Sequence, residues 1–143
     1  MPPEESGTGP DGLALIIQSD GYDKVHYALA TASAAAAVGR PVILFFAMGA
    51  VRALVADQGW QRLESADGRA ATDVDAGYRG LGIADLETLL GACVDLGVRF
   101  MVCEMGLLAT GLKKADLRTD VTFETGGLAT LMLEAGAGNI VFV

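Results

Sequence analysis

The chain has 143 residues, of which 52% are hydrophobic and 20% are charged, so its length and composition fit one domain with a core of ordinary size. Its formal net charge of -8 argues against a nucleic-acid-binding protein, because no basic surface is available to neutralise phosphates. The high hydrophobic fraction predicts that some apolar surface is buried between subunits of a homo-oligomer.

The N-terminal residues predict an arm and no targeting segment. Residues 1–11 are rich in proline, glycine and acidic side chains, which is typical of a disordered arm ahead of a single domain over residues 12–143. The first five residues lack the basic and apolar pattern of a signal peptide. The apolar run over residues 41–48 is far shorter than the ~18 residues that a membrane span needs. The sequence therefore predicts a cytoplasmic protein without membrane attachment.

Two strands and a helix are predicted in the first third of the chain. Residues 12–18 and 41–47 are apolar without alternation, which favours strands buried on both faces. Residues 22–38 between them predict an amphipathic helix, and Ser19 or Asp20 can cap it.

Residues 50–57 predict a short helix, and residues 58–80 predict a long irregular excursion with four glycines. A connection of that length is usually functional or mobile. Trp60 and Tyr78 either cover a site or an interface, or pin this segment to the body of the domain.

The second half of the chain continues the alternation of helices and strands. The predicted elements are a helix over 85–96 capped by Asp85, a strand over 98–103, a short helix over 105–112, a brief strand over 121–123, a helix over 128–135 and a strand over 139–143. This order predicts an α/β domain with a mainly parallel sheet of about five strands and helices on both faces.

Cys103 is the residue whose position most resembles a site of chemistry. It ends a predicted buried strand directly before a helix, and free N–H groups at a helix start favour an anion such as a thiolate. Ligands gather at the carboxyl ends of parallel strands, where residues 18–20 and 48–49 are also expected. The sequence therefore predicts an exposed, reactive thiol, although Glu104 opposes a low pKa. An ordinary buried cysteine is the alternative.

Cys93 is predicted to be a packing residue on the apolar face of the helix over 85–96. If this helix and the following strand run back to back, the two cysteines are offset by ~14 Å along their axes, beyond the reach of a disulfide. Both thiols are therefore expected to be free.

The other candidate residues give weaker signals. His26 is more typical of a surface or core position than of a Cys–His pair with Cys103. One histidine and two separated cysteines do not have zinc-ligand spacing, and no glycine motif for phosphate binding is present. Lys113 and Lys114 are either a solvated pair or a positive spot that stabilises a sulfur anion or attracts an acidic partner.

The segments LGVRFMVCEM (residues 96–105) and GLKKADL (residues 111–117) resemble the DsrE/DsrF-like family, and are most similar to its DsrE-like group, often labelled peroxiredoxin family proteins. The order of elements agrees over residues 12–143. The resemblance implies a cytoplasmic, homo-oligomeric sulfur-transfer protein in a sulfur-oxidation or sulfur-relay pathway. Cys103 would carry sulfur as a persulfide and exchange it with a TusA-like carrier or a rhodanese. The second nearby cysteine and the membrane hairpin of some relatives are not found in this sequence.

A sulfur carrier or sulfurtransferase is the function that these residues favour, with no cofactor and no metal. Two alternatives stay open. A thiol peroxidase would need a resolving cysteine, for which Cys93 is badly placed. A non-catalytic oligomeric module that binds a small ligand or a partner would need Cys103 only as a buried residue.

Overall fold

A five-stranded, all-parallel sheet forms the centre of the computed structural model, which describes residues 7–143. The strands lie in the order β4-β3-β2-β1-β5, and each neighbouring pair is parallel. The predicted α/β class is confirmed. The strand bounds are β1 Leu13–Ile17, β2 Val42–Phe46, β3 Arg99–Cys103, β4 Phe123–Gly126 and β5 Asn139–Phe142.

Helices connect the strands in the alternation that the sequence predicts. The α-helices are α1 Tyr22–Ala37, α2 Ala71–Gly80, α3 Leu86–Asp95, α4 Glu104–Thr110 and α5 Leu128–Ala135. Three short 3-10 helices cover Met48–Leu54, Gly59–Arg62 and Lys114–Asp116. The bounds of α5 agree with its prediction, and Asp85 caps α3 by accepting a hydrogen bond from the Thr88 backbone N–H.

The two faces of the sheet are packed unequally. The larger core includes Leu15, Leu44 and Phe100 on the face covered by α1 and α3. The opposite face packs Ile16 and Phe45 into a smaller core with residues of α5. The chain advances from β1 to β4 and then crosses back to β5 through α5. Because parallel crossovers are right-handed, this change of direction puts α5 on the other face.

The prediction that residues 58–80 form an irregular excursion is wrong for its second half. Helix α2 occupies Ala71–Gly80 and buries Ala71 and Val74. The glycines and the low apolar content of α2 give it a weak helix signal in the sequence. The helix forms because its packing against the body of the domain outweighs this low propensity. Trp60 is buried, and its Nε1 donates to Glu87 at 2.8 Å. These contacts support the interpretation in which Trp60 anchors the segment to the body of the domain.

Three local predictions differ from the structure. Helix α1 begins after Gly21 without a side-chain cap; Ser19 Oγ instead accepts from the Gly21 N–H, and Asp20 pairs with Arg52. The helix predicted over 50–57 is a 3-10 helix that begins two residues earlier and ends three residues earlier. Strand β4 begins two residues later than the strand predicted over 121–123 and continues to Gly126; its Glu124 looks like a loop residue but fits an edge strand because Arg99 binds its carboxylate at 2.7 Å.

The predicted arm over residues 1–11 lies partly outside the described residues, which begin at Gly7. Thr8 is bonded to α5: its N–H donates to the Glu134 carbonyl and its hydroxyl to the Ala135 carbonyl, each at 3.0 Å.

A buried guanidinium ties α3 to the segment before β4. The Arg118 side chain is 9% exposed and donates to both carboxylate oxygens of Glu87, at 2.7 and 2.8 Å. It also donates to Asp120. The Arg118 hydrogen bonds hold the pKa of Glu87 below its usual value, although partial burial opposes this shift.

This arrangement predicts a pH dependence of stability. A carboxylate whose pKa is lowered on folding stabilises the folded state above its unfolded pKa, and this contribution is lost as the pH falls through the folded pKa. When the pH falls from about 6 to about 3, the unfolding free energy of the wild type should decrease by about 1 kcal/mol more than that of Glu87→Gln. Urea titrations at each pH measure this difference. Asp73→Asn, at an exposed position, is the control and should follow the wild type. Equal pH profiles for wild type and Glu87→Gln would contradict the prediction.

Candidate functional site

Cys103 lies at the carboxyl edge of the sheet, as the sequence predicts. It is the last residue of β3 and the N-cap of α4, with φ -71° and ψ 128°. In the parallel register with β4 it stands beside Gly126, after which α5 begins. The strand-to-helix turn therefore brings Cys103 to the edge where parallel sheets bind ligands.

The expectation of an exposed sulfur is wrong for the single chain. Cys103 is 1% exposed and belongs to the smaller core, with Ala47, Met101 and Leu131. The residue alternates in β3 with Val102, which belongs to the larger core, so its side chain is on the face covered by α5. A reagent or partner therefore reaches this sulfur only after a neighbouring element moves.

Exposed apolar side chains follow the same three strand ends. Met48, Met105 and Leu128 are the second residues after the ends of β2, β3 and β4, and they are 37%, 50% and 42% exposed. Leu108, one turn beyond Met105 on α4, is more exposed still. We call these four residues the apolar rim. Apolar side chains grouped in this way are typical of a surface that contacts another protein.

Helix α4 packs closely against the turn that follows β2. A Cβ built on Gly106 would lie 2.7 Å from Val51 Cγ2 and 2.8 Å from the Met48 backbone nitrogen. Met48 itself has a positive φ of 48°. The absence of a side chain at Gly106 thus lets α4 begin where it does, immediately after Cys103.

His26 does not pair with Cys103. Its Nε2 donates to the Ala84 carbonyl at 2.8 Å, and its ring packs against that of Tyr78 in a tilted arrangement with centroids 4.7 Å apart. Helix α1 covers the larger core, whereas Cys103 belongs to the core on the other face. His26 is therefore a satisfied, mostly buried residue with a packing role.

Lys113 and Lys114 are exposed beyond the far end of α4. This helix has 7 residues, which at the usual rise separates its two ends by about 10 Å. That separation is about one Debye length at physiological salt, so the interaction of an exposed charge is largely screened. The lysines are thus a solvated pair, and direct stabilisation of a sulfur anion on Cys103 by their ammonium groups is not supported.

Cys93 lies on the opposite side of the sheet from Cys103. It is fully buried in the larger core, and its Sγ donates to the Leu29 carbonyl at 3.4 Å. Both cysteines are free, as predicted. Burial raises the pKa of the Cys93 thiol to about 12, so the reactive thiolate is scarce at neutral pH.

Native Cys93 is therefore expected to be nearly inert towards iodoacetamide. At about pH 8 its alkylation should be at least a hundredfold (~10²) slower than that of a free thiol, because so little thiolate is present. Peptide mapping of the alkylated wild type measures this rate, and the same protein unfolded in urea is the control in which both cysteines react. Fast labelling of Cys93 in the folded protein would contradict its assignment to the core.

A charged cleft that the sequence does not predict lies beside this edge. The Asp20 carboxylate and the Arg52 guanidinium pair at 3.3 Å and join the turns that follow β1 and β2. The sequence contains a signal for Asp20, since it follows a buried strand. It contains none for Arg52, which reaches the cleft only because residues 48–54 form a 3-10 helix.

Within residues 7–143, no group of three or more His, Cys, Asp or Glu side chains is arranged to hold a metal ion. In the same residues, no helix is both long and apolar enough to cross a membrane.

The sequence model of the DsrE/DsrF-like family matches residues 12–142, which is nearly the whole chain. A comparison with curated proteins found no match.

Proposed function

The chain belongs to the DsrE/DsrF-like family, which is generally linked to sulfur relay, and from this membership and the position of Cys103 we propose that the protein is a sulfur carrier. Cys103 holds sulfur as a persulfide and passes it between protein thiols in a sulfur-oxidation or sulfur-relay pathway. The observation that carries the proposal is the location of Cys103 at the carboxyl edge, where β3 ends and α4 begins.

The chemistry is thiol exchange and needs no net oxidation. The Cys103 thiolate attacks the outer sulfur of a donor persulfide, the donor's S–S bond breaks, and the donor leaves as a thiolate that takes up a proton. Cys103 then carries the outer sulfur as Cys–S–S⁻. An acceptor thiolate attacks that sulfur in turn and releases Cys103 as a thiolate.

The burial of Cys103 adds a requirement to this mechanism. Because the sulfur is 1% exposed, loading needs α4 or α5 to move away from the strand ends. The apolar rim gives a partner a surface on which to drive such a movement. In the proposal the partners are a TusA-like carrier or a rhodanese, and further exposed apolar residues of α5 and β5 are covered in a homo-oligomer. Two free thiols fit a cytoplasmic location.

Transfer between proteins tests the proposal. A rhodanese charged with thiosulfate is mixed with the wild-type protein, removed, and replaced by a TusA-like carrier with one thiol. We expect sulfur to be gained by the wild type and then lost to the carrier, as followed by intact mass. A protein that gains no sulfur from the charged rhodanese, or that gains it and does not pass it to the carrier, would contradict the proposal.

One observation favours a second candidate, a module without sulfur chemistry that binds a small ligand or a partner. Cys103 is 1% exposed, which is ordinary for a cysteine that only packs in a core, whereas a sulfur carrier has to uncover it. Alkylation of native Cys103 separates the two candidates. A rate as slow as that of Cys93, unchanged by the addition of a charged rhodanese, would favour the module.

A further inference from the structure

A cleft of about 640 Å³ opens beside the Cys103 edge. Its walls come from the turn after β1, from the 3-10 helices over 48–54 and 59–62, and from residues that end α4 and follow it. Val55, Leu63 and Leu112 give it an apolar part. Its volume is in the middle of the range found for small-molecule sites.

The charged groups of the cleft are of both signs. Asp20 and Arg52 are paired with each other. Arg62 and Glu64 also line the cleft, and within the described part of the chain neither has an ion-pair partner. They are two residues apart and opposite in charge, yet they do not pair with each other. The cleft thus presents one available cation and one available anion.

The backbone that carries these two groups is fixed by long-range hydrogen bonds. The Glu64 carbonyl accepts from the Tyr22 N–H at 2.8 Å, and the Leu63 carbonyl accepts from the Ala71 N–H at 3.0 Å. Glu64 also forms an isolated antiparallel bridge with Ala70. Because the backbone is already fixed, a ligand that binds both charges has to order only the two side chains and not the segment that carries them.

We propose that this cleft binds a small zwitterion, namely a short peptide or amino acid with a free α-amino-acid end. The ligand's carboxylate pairs with Arg62, its ammonium group pairs with Glu64, and its apolar atoms lie against Val55, Leu63 and Leu112. The site is separate from Cys103, which lies at the other end of α4 and does not line the cleft. The proposal therefore does not depend on the sulfur chemistry.

Calorimetric titration of the full chain with S-methylglutathione tests this inference. The probe carries an α-amino-acid end and has no thiol, so it binds without reacting at Cys103. We expect a Kd below about 1 mM. N-acetyl-S-methylglutathione, which lacks the ammonium group, should bind about fivefold more weakly, as expected for loss of a partly exposed ion pair.

Variants of Arg62 and Glu64 test whether these two charged side chains bind the probe. Arg62→Gln and Glu64→Gln should each weaken S-methylglutathione by about fivefold. Arg69→Gln makes the same charge change as Arg62→Gln at an exposed position outside the cleft and should keep wild-type affinity. The proposal is overturned if the wild type shows no binding at about 10 mM probe, if acetylation has no effect, or if either cleft variant binds like the wild type.

Discussion

Replacement of Cys103 by serine is expected to abolish the gain of sulfur from a charged rhodanese, with a fall in transfer rate of at least a hundredfold (~10²). The hydroxyl of serine is the same size to within a small difference in radius, but it does not form a stable bond to sulfane sulfur. Cys103 lies in a small apolar core without a hydrogen-bond partner among the described residues, so the buried serine hydroxyl is expected to lower the unfolding free energy by about 1–3 kcal/mol, and urea denaturation checks that the variant is folded before its loading is compared. The measurement is the intact mass of each protein after exposure to the charged partner.

Cys93→Ala is the matched control for this experiment. Cys93 lies in the larger core on the other face, where it acts as a small apolar residue. This variant should load sulfur at the wild-type rate, although it will be somewhat less stable because its buried side chain is smaller. Equal loading of wild type and Cys103→Ser would remove Cys103 from the mechanism, and loss of loading in folded Cys93→Ala would contradict the packing role of Cys93.

Gly106→Ala is expected to have the largest effect on the stability of the site. The added Cβ would stand 2.7 Å from Val51 Cγ2 and 2.8 Å from a backbone nitrogen, so α4 must shift away from the turn after β2. Overpacking of this kind lowers the unfolding free energy by about 1–3 kcal/mol. Since α4 begins directly after Cys103, the same shift should also raise the alkylation rate of Cys103. Urea denaturation and timed alkylation measure the two effects.

Gly91→Ala gives the comparison. Gly91 is an exposed residue in the middle of α3, and a Cβ there would meet nothing within 4 Å. Alanine is the better helix former, so this variant should be more stable by about 0.5–1 kcal/mol. If Gly106→Ala were stabilised to the same degree, the close packing of α4 against Met48 and Val51 would be refuted.

The sequence predicts the sheet and the position of Cys103 because local patterns determine both. Strand β3 is a short apolar run, and its end at Cys103 is marked by the change to helix-forming residues. Helix α3 is marked by the spacing of Leu86, Leu90 and Cys93 and by the cap at Asp85. Such signals lie within one element and do not depend on the arrangement of the others.

The burial of Cys103 and the extent of the cleft could not be predicted in this way. The Cys103 side chain is covered because α5 packs against the same face of the sheet. The position of α5 is set by the return crossover from β4 to β5, which involves distant parts of the chain. Helix α2 is weak in propensity and is stabilised by contacts with distant residues. Arg62 and Glu64 come to a common cleft only because the segment before α2 folds against the turn after β1.

The central claim is that Cys103 carries sulfur, and the mass of the intact wild-type protein after exposure to polysulfide together with a charged rhodanese tests it most directly. We expect the mass of one sulfur atom to be added per chain, to be removed by a reducing thiol, and to map to the peptide that contains Cys103. A mass unchanged by polysulfide in the presence of the charged rhodanese, or an added sulfur that maps to Cys93, would contradict the claim.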